Sequence, residues 1–142
     1  MFLKLLITWF SGMAGLLILD LFWIGFFASD FYRKQIGFLL HIEDGNMVVN
    51  IPAALATWAV IVTGIQIFAL PRVPQQGPLL SFVLWGALFG AVTYAVYDLT
   101  NFAVVKNWPL AVTLVDIAWG TVVCAGTALC MGLVSRGLER WL

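Results

Sequence analysis

The stretch from Leu79 to Val134 reads LLSFVLWGALFGAVTYAVYDLTNFAVVKNWPLAVTLVDIAWGTVVCAGTALCMGLV. It is two long apolar runs joined by one polar break, Lys106, Asn107, Trp108 and Pro109. Each run exceeds the ~20 residues a helix needs to cross a hydrocarbon core of roughly 30 Å. Proline is tolerated in the first turn of a helix, where its missing N–H would be unpaired anyway, so Pro109 marks a helix start. The reading gives two membrane-spanning helices, over about residues 79–105 and 110–134.

Working outward, Pro71 to Pro78 is a proline-rich connector suited to the headgroup region. Before it, Asn50 and Pro52 open a third apolar run that Pro71 closes, a span over about residues 52–70. A first span covers about residues 2–27. Lys4 followed by an apolar run could pass for a signal peptide, but the run continues through Phe26 with no small-x-small cleavage site, so it is read as retained. The expectation is an all-α, polytopic integral membrane four-helix bundle, one domain over residues 1–142.

Composition agrees. Of 142 residues 63% are apolar and 10% charged, and mean hydropathy is +1.02. A water-soluble domain of this size carries roughly a quarter charged residues, so the bilayer is the main solvent and membrane lipids the main surroundings. Seven basic residues balance seven acidic ones, which leaves no basic patch for nucleic acid. Cys124 and Cys130 are separated by about 9 Å along a helix, too far to form a disulfide with each other. With one histidine, the thiols make a poor zinc inventory, and neither metal nor cofactor is implied.

Residues 29–44 fit no span, since aromatic and aliphatic residues alternate there with Asp30, Arg33, Lys34, His41, Glu43 and Asp44. Two readings stay open: a short amphipathic helix on the membrane surface, capped by Ser29 and ended by Gly45, or a loop packed over the bundle. His41 reads as a surface histidine rather than a ligand. Trp9, Trp58, Trp85, Trp108 and Trp141 read as interface anchors or lipid-facing bulk. One side carries Lys4, Arg72, Arg136 and Arg140, the other Arg33, Lys34 and Lys106, so the positive-inside rule favours cytoplasmic termini by one residue.

Three aspartates interrupt the apolar runs. Each costs an estimated 2.5–3.5 kcal/mol at a helix centre, less near the interface, so each needs a partner or a proton. Asp20 and Asp98 lie late in spans one and three, which run the same way. Asp116 lies early in span four, which runs back, so all three fall at one level in one half of the bilayer. On span three, Tyr94, Tyr97, Asp98 and Asn101 form adjoining polar strips at i,i+3 and i,i+4 spacing. Trp23 follows Asp20 by three residues, as Trp119 follows Asp116, and Thr113 and Gly120 continue that strip. The candidate pocket is therefore Asp20, Trp23, Tyr94, Tyr97, Asp98, Asn101, Asp116 and Trp119. The plainer account is that such groups only hydrogen-bond neighbouring helices, at roughly 0.6 kcal/mol each. Gly86 and Gly90 have G-x-x-x-G spacing and suit close packing, inside one bundle or across a dimer seam.

The strings Asp20-Leu-Phe-Trp23-Ile-Gly25, Tyr97-Asp98-Leu99-Thr100-Asn101 and Asp116-Ile-Ala-Trp119-Gly120 together resemble a family of small bacterial predicted membrane proteins of unknown function. The resemblance covers nearly the whole chain and implies a four-helix protein of the bacterial inner membrane, with no reaction, substrate or cofactor attached. Three function classes remain. The first is a transporter or channel-like bundle whose aspartates and Asn101 bind a proton, cation or small cationic solute, as a homodimer because four spans are few for a path. The second is a membrane-embedded enzyme acting on a lipid or isoprenoid, the third an assembly subunit whose polar cluster sets packing.

Overall fold

The computed structural model describes residues 1–74 and 76–139; Gln75, Arg140 and Trp141, which the sequence reading placed in a loop, a charge count and an interface, lie outside the described residues. Four helical segments are long and apolar enough to cross a membrane: Phe2–Leu39, Ile51–Arg72, Leu79–Val104 and Leu110–Glu139. The first comprises α1 (Phe2–Trp23), a π-helical turn (Ile24–Ala28), α2 (Ser29–Ile36) and a 3-10 turn (Gly37–Leu39). A hairpin of β1 (Ile42–Glu43) and β2 (Asn46–Met47) follows, then α3 (Ile51–Gly64), which runs through a π turn to Arg72. The last two spans are α4 (Leu79–Val104) and α5 (Leu110–Glu139).

The helix starts follow the local chemistry. Asn50 accepts a hydrogen bond from the Ala53 N–H at 3.1 Å and Pro52 occupies the first turn of α3. Pro78 precedes α4, and the Pro109 carbonyl accepts the first backbone bonds of α5. Residues 29–44 are corrected in detail. Ser29 does not cap a separate surface helix: its hydroxyl donates to the Ile24 carbonyl at 2.7 Å, and the helix continues from α1 into α2. The same carbonyl accepts the Ser29 backbone N–H in the i,i+5 pattern of the π turn, so the hydroxyl adds a second bond to it. Gly45 does not end the helix either. With Asp44 it forms the hairpin turn, both at positive φ, the conformation that an Asp-Gly pair favours. Arg33, ion-paired to Asp30, donates to the Gly45 carbonyl at 2.7 Å and ties the hairpin to α2.

The central helix is α5, which packs along both α1 and α4. Its inner face buries Val112, Val123, Cys124, Ala128 and Met131, with Leu16 of α1 and Val62 and Ile65 of the second span completing the core. The glycine strip of α4 is used here. A Cβ on Gly86 would meet Ala128 and the Cys124 carbonyl at 2.5 Å, and one on Gly90 would strike the Gly120 carbonyl and lie 2.7 Å from Cys124. Both glycines thus let α4 and α5 approach backbone to backbone within one chain. Large apolar side chains, among them Phe10, Phe22, Phe26, Leu84, Leu88, Val92 and Val96, point outward. In water such a surface is an aggregation liability, whereas in a bilayer it is solvated.

Lys4 and Glu139 form an ion pair at 2.5 Å, so the start of span one and the end of span four meet on one side. Arg136 reaches the connector between spans two and three, donating to the Gly77 carbonyl at 2.6 Å and lying over the Phe82 ring. Arg72 lies over Trp85 on that same side. His41 sits on the opposite side, exposed and 3.2 Å from Glu43.

Candidate functional site

The polar side chains gather in the half of the bundle away from the termini. By their partners they divide into two adjoining tiers, Asp20 with the indoles of Trp58 and Trp119, and Asp98 with Asp116 and Tyr32.

The lower tier centres on Asp20. One carboxylate oxygen accepts from the Trp58 indole N–H at 2.7 Å and the other from the Trp119 indole N–H at 2.9 Å. Asp20 thereby joins α1 to α3 and α5, and each indole that burial would leave unpaired has an acceptor. Trp58, expected to be an interface anchor or lipid-facing bulk, belongs to this cluster. It lies on the inward stripe Ala54, Trp58, Ile61, Ile65, whose three-to-four spacing was the available signal.

The upper tier holds Asp98, Asp116 and Tyr32. Asp98 is fully buried, with no donor to either oxygen among the described residues. Its carboxyl group stands within hydrogen-bonding reach of Asp116. Asp116 accepts a hydrogen bond from the Tyr32 hydroxyl of α2. Trp23 stacks on Trp119 with centroids 4.5 Å apart and planes within 6°, linking the tiers. The Trp23 indole N–H, close to the Tyr32 hydroxyl, is buried without an acceptor among the described residues. The Asn101 amide nitrogen, one turn beyond Asp98, is likewise buried and has no partner among them. Unpaired buried donors and acceptors in one place are uncommon and call for a proton, water or ligand.

Tyr32 was placed outside the pocket by reading the helix as ended at Phe27. Spacing four, Ala28, Tyr32, Ile36, is the signal that extends it. Along α5 the partners of Trp23 and Tyr32, Trp119 and Asp116, are about 4.5 Å apart, whereas along span one Trp23 and Tyr32 are separated by about 13.5 Å. The reach of the phenol closes that gap, and α2 contacts α5.

The other expected residues divide. Tyr94 lies against Gly120, where a Cβ would collide with the ring, and sits within electrostatic reach of Asp20, Asp116 and Asp98. Tyr97 does not join the cluster: it is 61% exposed and meets Trp108 edge-on. Position 97 is one residue before the inward-facing Asp98, so a helical turn of about 100° carries it outward. Thr113 accepts from the Trp108 indole at 3.1 Å and serves the connector between spans three and four. No three His, Cys, Asp or Glu side chains among the described residues gather closely enough to hold a metal ion.

Four apolar spans around a buried set of carboxylate, phenol and indole groups define an all-α multi-pass membrane protein. The family described as Predicted membrane protein (DUF2177) matches residues 5–133, and the chain belongs to it. No curated protein and no solved structure matches the chain.

Proposed function

We propose that the upper tier is an exchangeable proton or cation site, and that the protein binds or moves a proton, cation or small cationic solute across the inner membrane of a bacterium, its termini in the cytoplasm. The observation that carries this reading is Asp98, fully buried, without a donor among the described residues and facing a second carboxylate. Two ionised carboxylates so placed repel, and neither can donate to the other. One shared proton removes the repulsion and provides the missing hydrogen bond; a bound cation does the same through charge. Alternation between these two occupants is the elementary step of proton-coupled exchange.

Tyr32 completes the arrangement from above. It holds one Asp116 oxygen, leaving the carboxyl group to face Asp98, and its helix covers the site from the far side. Asp20, already satisfied by two indoles, serves as scaffold rather than as the exchanging group. The glycine strips are occupied inside the bundle, so the homodimer implied by the small number of spans uses another face.

Reconstitution tests the reading. Proteoliposomes containing the wild-type chain are expected to show pH- or cation-dependent flux, reduced at least tenfold by Asp98→Asn with thermal stability retained. Flux unaltered in that variant would remove the proposal.

A further inference from the structure

The second and third spans meet at their connector end, where Phe89 covers Gly64 and α4 contacts the turns from Ile65 to Arg72. Toward the far side α3 and α4 part. They leave a groove of about 580 Å³ open to the bilayer, walled by Thr57, Val60 and Ile61 on one side and Thr93, Tyr94 and Tyr97 on the other. Three features set it apart from an ordinary lipid crevice. No Lys or Arg lines it among the described residues. Two tyrosine rings lie on one wall, and aromatic faces attract cations. Tyr94 is within electrostatic reach of all three intramembrane aspartates, whose attraction is little screened where water is excluded.

We propose that this groove is the lateral entrance and binding site for a lipophilic organic cation, an ammonium or phosphonium centre on an apolar body, taken from the bilayer toward the carboxylates. The proposal rests on the reading of Asp98 and Asp116 as an exchangeable pair and names the class of cation that exchanges with their proton. The apolar walls accept the body of the ligand. The tyrosine rings and the aspartates near Tyr94 select its charge, which a lipid tail lacks.

Equilibrium binding of radiolabelled tetraphenylphosphonium to the full chain in phosphatidylcholine nanodiscs tests this, with empty discs subtracted. Tetraphenylborate, of matching shape and opposite charge, is the control. Val60 is 70% exposed, so Val60→Trp fills the groove from its rim without disturbing the core. Saturable phosphonium binding, weakened at least tenfold by Val60→Trp and several-fold by Tyr97→Leu, is the expected result. Equal or tighter binding of the borate, or phosphonium binding unaffected by Val60→Trp, would overturn the proposal. Absence of saturable phosphonium binding, while a protonated-carboxyl infrared band of the same sample still depends on Asp98, overturns the groove proposal alone. Phosphonium binding that obeys Val60→Trp in a protein lacking that band supports the groove and sinks the carboxylate pair.

Discussion

Asp98 of α4 and Asp116 of α5 face each other within hydrogen-bonding reach, and the only hydroxyl donor bound to the pair among the described residues, Tyr32, reaches Asp116 and not Asp98. This asymmetry separates the two roles. Asp116 has a fixed partner from outside the pair, whereas Asp98 depends on a proton, a water or a ligand for every hydrogen bond it makes.

Substitution of Asp98 by asparagine replaces a shared proton with a fixed amide donor of nearly the same shape. Asp98→Asn is expected to fold and to melt close to the wild type in nanodiscs, since an asparagine beside ionised Asp116 carries the same single charge as the proton-sharing pair and still offers a donor. Asp98→Leu offers no donor and leaves Asp116 without its partner. It is expected to melt below Asp98→Asn, and a reversed order of the two melting temperatures would contradict the pairing.

Tyr32 fastens α2 over the end of the bundle. In Tyr32→Phe the ring stays and only the hydroxyl is lost, at a cost of about 1–3 kcal/mol if the Asp116 oxygen is left dry. Opening of α2 should become easier by roughly tenfold or more, tenfold being about 1.4 kcal/mol. Hydrogen–deuterium exchange over residues 31–39 measures it. Equal exchange in the two proteins would show that the phenol holds nothing in place.

The double indole clamp on Asp20 predicts a hierarchy. Asp20→Asn keeps an acceptor for one indole and should lose less than 1 kcal/mol, in line with the small net worth of polar contacts in bilayers. Asp20→Leu strands both N–H groups and should lose about 1–3 kcal/mol. Unfolding titrations in mixed micelles give the comparison, and equal losses would argue against two simultaneous bonds.

Glycine packing gives a test of the fold alone. Gly90→Ala places a methyl group against the Gly120 carbonyl and Cys124, atoms that move only if the helices separate, and should destabilise by about 1–3 kcal/mol. Gly25→Ala meets nothing within 4 Å and should be close to neutral. Thermal unfolding of the pair distinguishes a tight α4–α5 contact from a loose one.

These residues also mark how far the sequence carries. Spans two to four were legible because Asn50, Pro52, Pro71, Pro78 and Pro109 punctuate apolar runs of bilayer length, and proline and caps act locally. That the aspartates share one half of the bundle was readable from their positions along spans of alternating direction, late in spans one and three and early in span four. Which residue meets which was not legible, because Trp58, Trp119 and Asp20 are joined only by tertiary packing. Span one was underestimated for a different reason. Hydropathy falls at Ser29 to Gln35, but the backbone stays helical through the π turn, whose Ile24 carbonyl accepts both the Ser29 N–H and its hydroxyl. Hydropathy reports solvent and not helix continuity, so Tyr32 was separated from the cluster it joins.

Infrared difference spectroscopy of the carboxylic acid C=O stretch tests the central claim most directly, with aspartate labelled isotopically and the wild type compared with Asp98→Asn and Asp116→Asn. A shared proton predicts an aspartic acid band at neutral pH in the wild type that fades as pH rises or when the cation is added. Asp98→Asn should abolish it. A wild-type spectrum in which every aspartate is ionised at neutral pH, or a band that persists unaltered in both variants, would contradict the account.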